Sequence, residues 1–185
     1  MDLDLALDAD GPWAPEDPAS LAELQTWQTI LMDWIQTICN SASLPCPSVV
    51  RQASELCLGL RFTDDATITT LNSTWRQRNQ ATDVLSFAAL EEAPALPDVS
   101  SLELGDIVIS LDTARRQASE QEHSLTRELH WLVSHGLLHL LGWDHPDEAS
   151  LAAMLQLQEQ LLDGGGNVRI SDPHPVDPTV DGNAR

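Results

Sequence analysis

Hydrophobic side chains along this chain follow two periods, and each period predicts a different kind of element. Where they recur at spacings of three and four, they line one face of an α-helix. Where they alternate with polar residues, they line one face of a β-strand. The pattern predicts helices at 20–38, from 64 or 65 to 75, at 112–121, from 124 or 126 to 141 and at 146–162, with strands at 55–62, 83–88 and 105–110.

The order of these elements predicts a single α+β domain. We expect a small mixed β-sheet packed around a central helix with further helices, because the helix after residue 124 is apolar nearly all round and such a helix belongs in the middle of a domain. Residues 1–19 are acidic and contain three prolines, which predicts a disordered or loosely docked extension. Residues 164–185 begin with three glycines and are expected to form a flexible tail. The folded domain is therefore predicted at 20–163, with a proline-containing loop at 91–100.

The segment 135–145, with the sequence HGLLHLLGWDH, carries the strongest chemical signal of the chain. His135 and His139 are four residues apart, so they lie on one helix face, one turn from each other. Gly142 offers the left-handed conformation that ends a helix, which lets the chain turn back and present His145. Three neutral imidazoles suit zinc and leave a coordination position open, as catalytic zinc sites do. A single histidine such as His130, which falls outside this spacing, is more often a packing or surface residue.

The residue at position 136 argues against the mechanism of the zinc proteases. Zinc proteases with an H-E-x-x-H helix use the glutamate after the first histidine as a general base, and this chain has Gly136 there. Glycine inside a helix costs roughly 1 kcal/mol relative to alanine, so its presence needs a reason. Either a side chain would obstruct the substrate, or the helix packs closely against a strand, and the sequence leaves both explanations open.

Composition and charge limit the partners. The formal net charge is −20, with nine arginines and no lysine, which argues against broad electrostatic attraction to nucleic acid or to an anionic membrane. The three cysteines have no metal-type spacing and are expected to be free thiols in a reducing compartment. The acidic first residues do not resemble a secretory signal, and no stretch has the length of a membrane span. We expect a soluble, cytoplasmic protein.

A second group of polar residues lies where one helix ends and the next strand begins. Arg76 offers a planar guanidinium suited to bidentate phosphate contact, and Arg78, Thr82 and Ser86 add a further charge and two hydroxyl donors. The alternative is structural: a helix C-terminus favours arginine through its dipole, and Asp83 could pair with Arg76.

These motifs together resemble one family. LNxxWRxRNxxTDVLSF at 71–87, LGDIVI at 104–109 and the histidine motif, in this order and spacing, look like the YbeY family of metal-dependent endoribonucleases, over roughly residues 55–160. The resemblance implies one zinc per chain on His135, His139 and His145, and a basic residue, Arg76, facing the metal cleft. It also implies single-stranded RNA as substrate, in maturation of the 3′ end of small-subunit (16S) ribosomal RNA and in ribosome quality control. Trp75 stands where tyrosine is commoner in the family.

The sequence therefore leads to the hypothesis of a zinc-dependent, single-strand-specific endoribonuclease whose partners are ribosomal RNA and the small ribosomal subunit, with neither DNA nor a membrane expected. Arg76 and His135 are the candidate catalytic residues, His135 acting as a metal ligand. Asp144, next to His145, is a candidate to hydrogen-bond and orient one of the ligand imidazoles without binding the metal itself. The alternative is that its side chain caps the turn or is simply solvated. Two other functions remain open: a non-catalytic ribosome assembly factor with a structural zinc, and a metal-dependent hydrolase of another bond.

Overall fold

The computed structural model describes residues 1–90 and 101–164, so the loop predicted at 91–100 and the tail predicted after residue 164 lie outside the described residues. Four strands and six α-helices follow one another along the described chain. In order they are β1 (Asp2–Asp8), α1 (Leu24–Asn40), α2 (Ser48–Gln52), β2 (Glu55–Thr63), α3 (Asp65–Arg76), β3 (Val84–Ala88), β4 (Ser101–Ser110), α4 (Leu111–Glu120), α5 (Leu125–Leu140) and α6 (Glu148–Leu162).

The four strands form one mixed sheet in the order β1-β2-β4-β3. β1 and β4 both pair with β2 in parallel, whereas β3 pairs with β4 in the antiparallel direction and has its other edge open within the described sheet. The predicted α+β class, with a small mixed sheet in a single domain, is confirmed.

The two faces of the sheet carry different helices. Ile107 and Ile109 of β4 belong to the main core, which also contains buried side chains of α1, α5 and α6. Val108 between them points to the other face, because side chains alternate along a strand, and it packs there with Ile68 of α3 and Leu85 of β3. Helix α5 packs against both β3 and β4 and is buried along most of its length, so the prediction of a central helix is confirmed.

The expectation of a disordered extension at residues 1–19 is wrong for its first part, because residues 2–8 form the edge strand β1. The sequence DLDLALD alternates with a period of two, and Leu3 and Leu5 are buried while the intervening acids face outward. Further along, the Trp13 ring packs edge-on against Phe62 with 5.2 Å between ring centroids. The acidic residues make this strand hard to recognise from the sequence, because a run of acids usually indicates a solvated segment. The strand is stabilised by pairing with β2.

Other differences concern element ends. Helix α1 starts at Leu24 and not at the predicted residue 20, because a single 3₁₀ turn at Ala19–Ala22 precedes it. Asp64 and Ser124 are the observed N-caps of α3 and α5, which decides between the two predicted cap positions in each case. The three cysteines are free, as expected. None of the helices within 1–90 and 101–164 is long and apolar enough to cross a membrane.

Candidate metal centre

Helix α5 and the turn after it bring the three predicted histidines together. His135 and His139 lie on the last two turns of α5, and Gly142 then takes a φ of +85°, a conformation that glycine adopts without strain. Backbone N–H groups of Gly142 and Trp143 donate to the carbonyls of His139 and Leu138, both at 3.0 Å, and so satisfy the end of the helix. The chain reverses there and returns His145 to the same side.

The turn is also tied to a distant loop. Trp143 donates its indole N–H to the carbonyl oxygen of Pro45 at 3.0 Å. Asp144 accepts a hydrogen bond from the backbone N–H of His145 at 2.8 Å. This contact places Asp144 in the turn itself; its predicted role in orienting an imidazole stays a prediction.

The geometry of the three imidazoles fits a metal ion. Their candidate ligand nitrogens all lie within 4.8 Å of one another, and the Nε2 atoms of His135 and His139 are 3.1 Å apart. Tetrahedral bonds of about 2.1 Å to a central ion would separate neighbouring nitrogens by about 3.4 Å. The donor set is entirely imidazole nitrogen, which suits first-row transition metals such as zinc, copper, iron or nickel.

Burial favours the neutral form of two of these imidazoles, those of His135 and His139. It lowers the pKa of His139 to about 4, with smaller contributions from positive charge on His135 and His145. Burial also lowers the pKa of His135. A metal binds only the unprotonated imidazole nitrogen, so both side chains are ready to bind at neutral pH without first losing a proton.

Gln158 of α6 contacts this site and was not predicted from the sequence. Its Oε1 atom lies 3.1 Å from Nδ1 of His135, although the two residues are far apart in the chain. The sequence feature that could have indicated this residue is a polar side chain within an apolar stripe of a helix. Gln158 is buried on α6 together with Met154, Leu157 and Leu161.

The contacts around Gly136 favour close packing over access for a substrate as the reason for this glycine. A Cβ atom at this position would lie 2.8 Å from Cγ2 of Ile107 and 3.2 Å from its Cγ1 and Cδ1 atoms. The residue after the first histidine therefore faces β4, where a glutamate could not project into the metal site. Of the two explanations that the sequence left open, these contacts favour packing, and they give a structural reason for the absence of a protease-type base.

Arg76 contacts β3, the strand that packs against α5. Helix α3 ends at Arg76 because Gln77 adopts a left-handed conformation with a φ of 58°. Arg76 then donates from Nη2 to the carbonyl oxygen of Ser86 in β3 at 3.2 Å. Partial burial, together with the positive charge of Arg78, lowers the pKa of Arg76, which still stays charged at neutral pH because a guanidinium titrates so far above it. Since β3 packs against α5, the arginine and two of the histidines flank the same strand.

The other predicted substrate-binding residues lie in β3 or in the segment between α3 and β3. Arg78 is exposed, just beyond the end of α3. Thr82 donates its hydroxyl to Asp83 at 3.1 Å. Ser86 of β3 lies opposite Ile107 of β4, so the two side chains are on the same face of the sheet. This is the face against which α5 packs, since Gly136 of α5 lies against Ile107.

Trp75, which was not predicted as a site residue, stands beside Arg76. Its side chain is 68% exposed, and its ring contacts Phe87 edge-on with 6.1 Å between centroids. An exposed indole next to an arginine offers a flat surface on which a nucleobase or another planar group can stack.

The remaining histidine of α5 has a structural place. His130 lies between the rings of Trp27 and Trp34, with centroid distances of 5.5 and 6.0 Å. Burial lowers its pKa. Of the two roles predicted for His130, packing or surface, these contacts favour packing.

Comparison with known proteins points to one family. The family model described as Endoribonuclease YbeY matches residues 20–166. Endoribonuclease YbeY of Parasynechococcus marenigrum (strain WH8102) is 82% identical over 100% of both chains, and that of Synechococcus sp. (strain CC9902) is 56% identical over 96% of this chain and 99% of the other. Among solved structures, the solution structure of TM1509 from Thermotoga maritima has a TM-score of 0.49 and 20% identity over 88% of this chain and 87% of that chain.

Proposed function

The chain belongs to the YbeY family of endoribonucleases, and on that basis we propose that it is a zinc-dependent endoribonuclease that cleaves single-stranded RNA. We further propose that its substrate is ribosomal RNA, that it acts in maturation of the 3′ end of 16S rRNA and in ribosome quality control, and that it works on the small ribosomal subunit in the cytoplasm. Residues 20–163 form the catalytic unit, and β1 lies at the sheet edge opposite to β3.

The observation that carries the proposal is the group of three histidines whose candidate ligand nitrogens all lie within 4.8 Å of one another. Three protein ligands on a tetrahedral ion leave one position for water or substrate, as in catalytic zinc sites. Zinc bound there would polarise a phosphoryl oxygen and acidify a water molecule. The chain contributes two imidazoles whose neutral form burial favours, those of His135 and His139, on a helix that is buried along most of its length.

Arg76 supplies the positive charge for the phosphate. Its contact with the Ser86 carbonyl holds the side chain at β3, and a guanidinium presents N–H groups that match phosphate oxygens. Preorganised charge of this kind stabilises the negative charge that grows on the phosphoryl group in the transition state, and removing one such donor costs roughly 10²–10³-fold in rate. We assign Arg76 this catalytic role, and Arg78, Thr82 and Ser86 a role in binding the RNA backbone.

Trp75 supports single-stranded RNA as the substrate class. Stacking of a base on an aromatic side chain is worth about 1–3 kcal/mol and requires a base that is not already stacked in a duplex. With a net charge of −20, the protein gains little from general attraction to a polyanion. Binding therefore depends on the local group of Trp75, Arg76 and Arg78 and on contacts with the ribosomal subunit.

The test is cleavage of a single-stranded 16S rRNA 3′ fragment, and of the same fragment annealed to its complement, by protein of measured metal content. His139→Ala and Arg76→Ala are compared with Arg61→Ala, which removes an exposed arginine of β2 paired with Asp8. We expect the wild type and Arg61→Ala to cleave only the single strand. His139→Ala should lose metal and cleavage together, and Arg76→Ala should keep the metal and lose cleavage.

The other outcomes separate the alternatives. Equal activity in all preparations would indicate a contaminating nuclease. RNA association without cleavage, by protein that holds a full complement of zinc, would favour an assembly factor with a structural metal. Hydrolysis of another phosphodiester in a substrate panel, with rRNA left intact, would identify a different hydrolase.

A further inference from the structure

Gln158 is a fully buried polar side chain with 0% exposure, on a helix face that is otherwise apolar. Burying an amide without hydrogen bonds costs several kcal/mol in an apolar environment. A buried glutamine in such a stripe is therefore expected to be held by specific partners, and its partners here lie on α5, beside the metal centre.

Both ends of the amide are bonded. The Nε2 group of Gln158 donates to the carbonyl oxygen of Trp131 at 3.1 Å and to Oγ of Ser134 at 3.3 Å. The Oε1 atom lies 3.1 Å from Nδ1 of His135. Ser134 in turn donates its hydroxyl to the same Trp131 carbonyl at 2.9 Å.

These bonds determine which way the amide points. A backbone carbonyl only accepts, so the NH₂ group of Gln158, and not its oxygen, must face Trp131. Ser134 has already given its one proton to that carbonyl, so its oxygen accepts the second N–H of the amide. Turning the amide over would place its oxygen against the carbonyl oxygen of Trp131 and lose that bond.

The orientation of the amide then determines the tautomer of His135. Because Oε1 of Gln158 can only accept, Nδ1 of His135 must carry the hydrogen. The lone pair of the neutral ring consequently resides on Nε2, the atom that lies 3.1 Å from Nε2 of His139 within the three-histidine group.

We propose that Gln158 is a positioning residue that holds His135 in the Nδ1–H tautomer, with its Nε2 lone pair directed into the metal centre. The inference concerns the metal centre on which the proposed function rests, but it does not depend on RNA as the substrate. Such outer partners of a metal-bound histidine fix its ring orientation, and their loss typically costs 10–100-fold in metal affinity or activity. An amide performs this task without burying a charge, which a carboxylate at the same place would do at considerable cost.

The test measures the tautomer and the metal affinity of the full chain. In metal-free wild type, ¹⁵N chemical shifts of the His135 ring are expected to show hydrogen on Nδ1; hydrogen on Nε2 would overturn the proposal without any variant. Gln158→Met keeps the length of the side chain and removes the amide, and Gln156→Met makes the same change at an exposed position of α6. By competition with a chromophoric zinc chelator, we expect Gln158→Met to bind zinc roughly 10–100-fold more weakly and Gln156→Met to bind as the wild type does.

The outcomes separate this proposal from the proposed function. Unchanged zinc affinity in a folded Gln158→Met protein would overturn the positioning role, whatever the RNA assays show. If Gln158→Met does not fold, the proposal is decided by the tautomer of His135 in the wild type: hydrogen on Nδ1 supports it and hydrogen on Nε2 overturns it. If the wild type binds zinc and has the expected tautomer but cleaves no RNA, the proposed function fails and the inference stands.

Discussion

Replacing Gly136 with alanine tests whether this glycine is required by packing or by access to the metal centre. The new Cβ would meet Cγ2 of Ile107 at 2.8 Å, whereas carbon atoms in contact prefer about 3.5–4.0 Å. Helix α5 and strand β4 would have to separate locally by about 0.7 Å or more to reach that contact distance. Ile107 has 0% exposure and belongs to the main core.

The expected energy follows from two opposing effects. Inserting a methyl group into a well-packed core costs about 1–3 kcal/mol. Alanine recovers roughly 1 kcal/mol relative to glycine within a helix. We therefore expect Gly136→Ala to be net destabilising by about 1 kcal/mol, which in a protein of this size lowers the melting temperature by roughly 2–4 °C.

The assay is a double-mutant cycle measured by urea unfolding, with Ile107→Ala as the second change. Ile107→Ala alone should cost about 2–5 kcal/mol through the cavity that it leaves. The methyl group added by Gly136→Ala would fill part of that cavity, so the double variant should be more stable than the sum of the single changes predicts, by about 0.5–3 kcal/mol. RNA cleavage and zinc affinity are measured on the same proteins.

Additive energies in this cycle would refute the packing explanation. A Gly136→Ala protein with wild-type stability and wild-type zinc affinity, but without RNA cleavage, would show instead that the glycine keeps a path open for the substrate.

Three further predictions concern the stacking surface, the metal and the buried histidine. Trp75→Ala should raise the KM for single-stranded RNA by roughly 5–150-fold, the equivalent of one base stack, while Trp75→Phe should keep most of the affinity; equal KM values would exclude stacking on this ring. Zinc at 100 times its Kd should raise the free energy of unfolding of the wild type by about 2.7 kcal/mol, seen as a higher melting temperature in a thermal shift assay. The same zinc should leave His139→Ala unchanged, and an equal shift there would place the metal elsewhere. Because burial lowers the pKa of His130, this side chain takes up a proton less readily in the folded protein than in the unfolded chain, where a histidine titrates near pH 6.5, so stability should fall as the pH decreases below about 7.5. His135 and His139 contribute in the same direction, so His130→Phe should reduce the slope of stability against pH without abolishing it, and an unchanged slope in urea unfolding would contradict the assignment.

The metal centre illustrates how much the sequence can predict. His135 and His139 are neighbours because of the helical period alone, and Ser124 and Gly142 mark the ends of that helix by their local preferences. Each of these signals acts within a few residues, so it can be read without knowledge of the fold. The same is true of α3, whose cap at Asp64 and end near Arg76 are local features.

Contacts between distant segments could not be read in this way. The pairing of residues 2–8 with β2 depends on an open strand edge that exists only in the folded sheet. The contact of Gly136 with Ile107 depends on how closely α5 approaches β4, and that of Arg76 with Ser86 on the path of the chain between them.

The sequence by itself determined the three-histidine group, the central helix, the α+β class and the family resemblance, because periodicity, capping and motif spacing are properties of short stretches of chain. Only the tertiary structure decided that Gln158 meets His135, that Gly136 faces Ile107 and that the acidic start of the chain forms a strand. These outcomes depend on which surfaces are buried against each other, and burial is set by the packing of the whole domain.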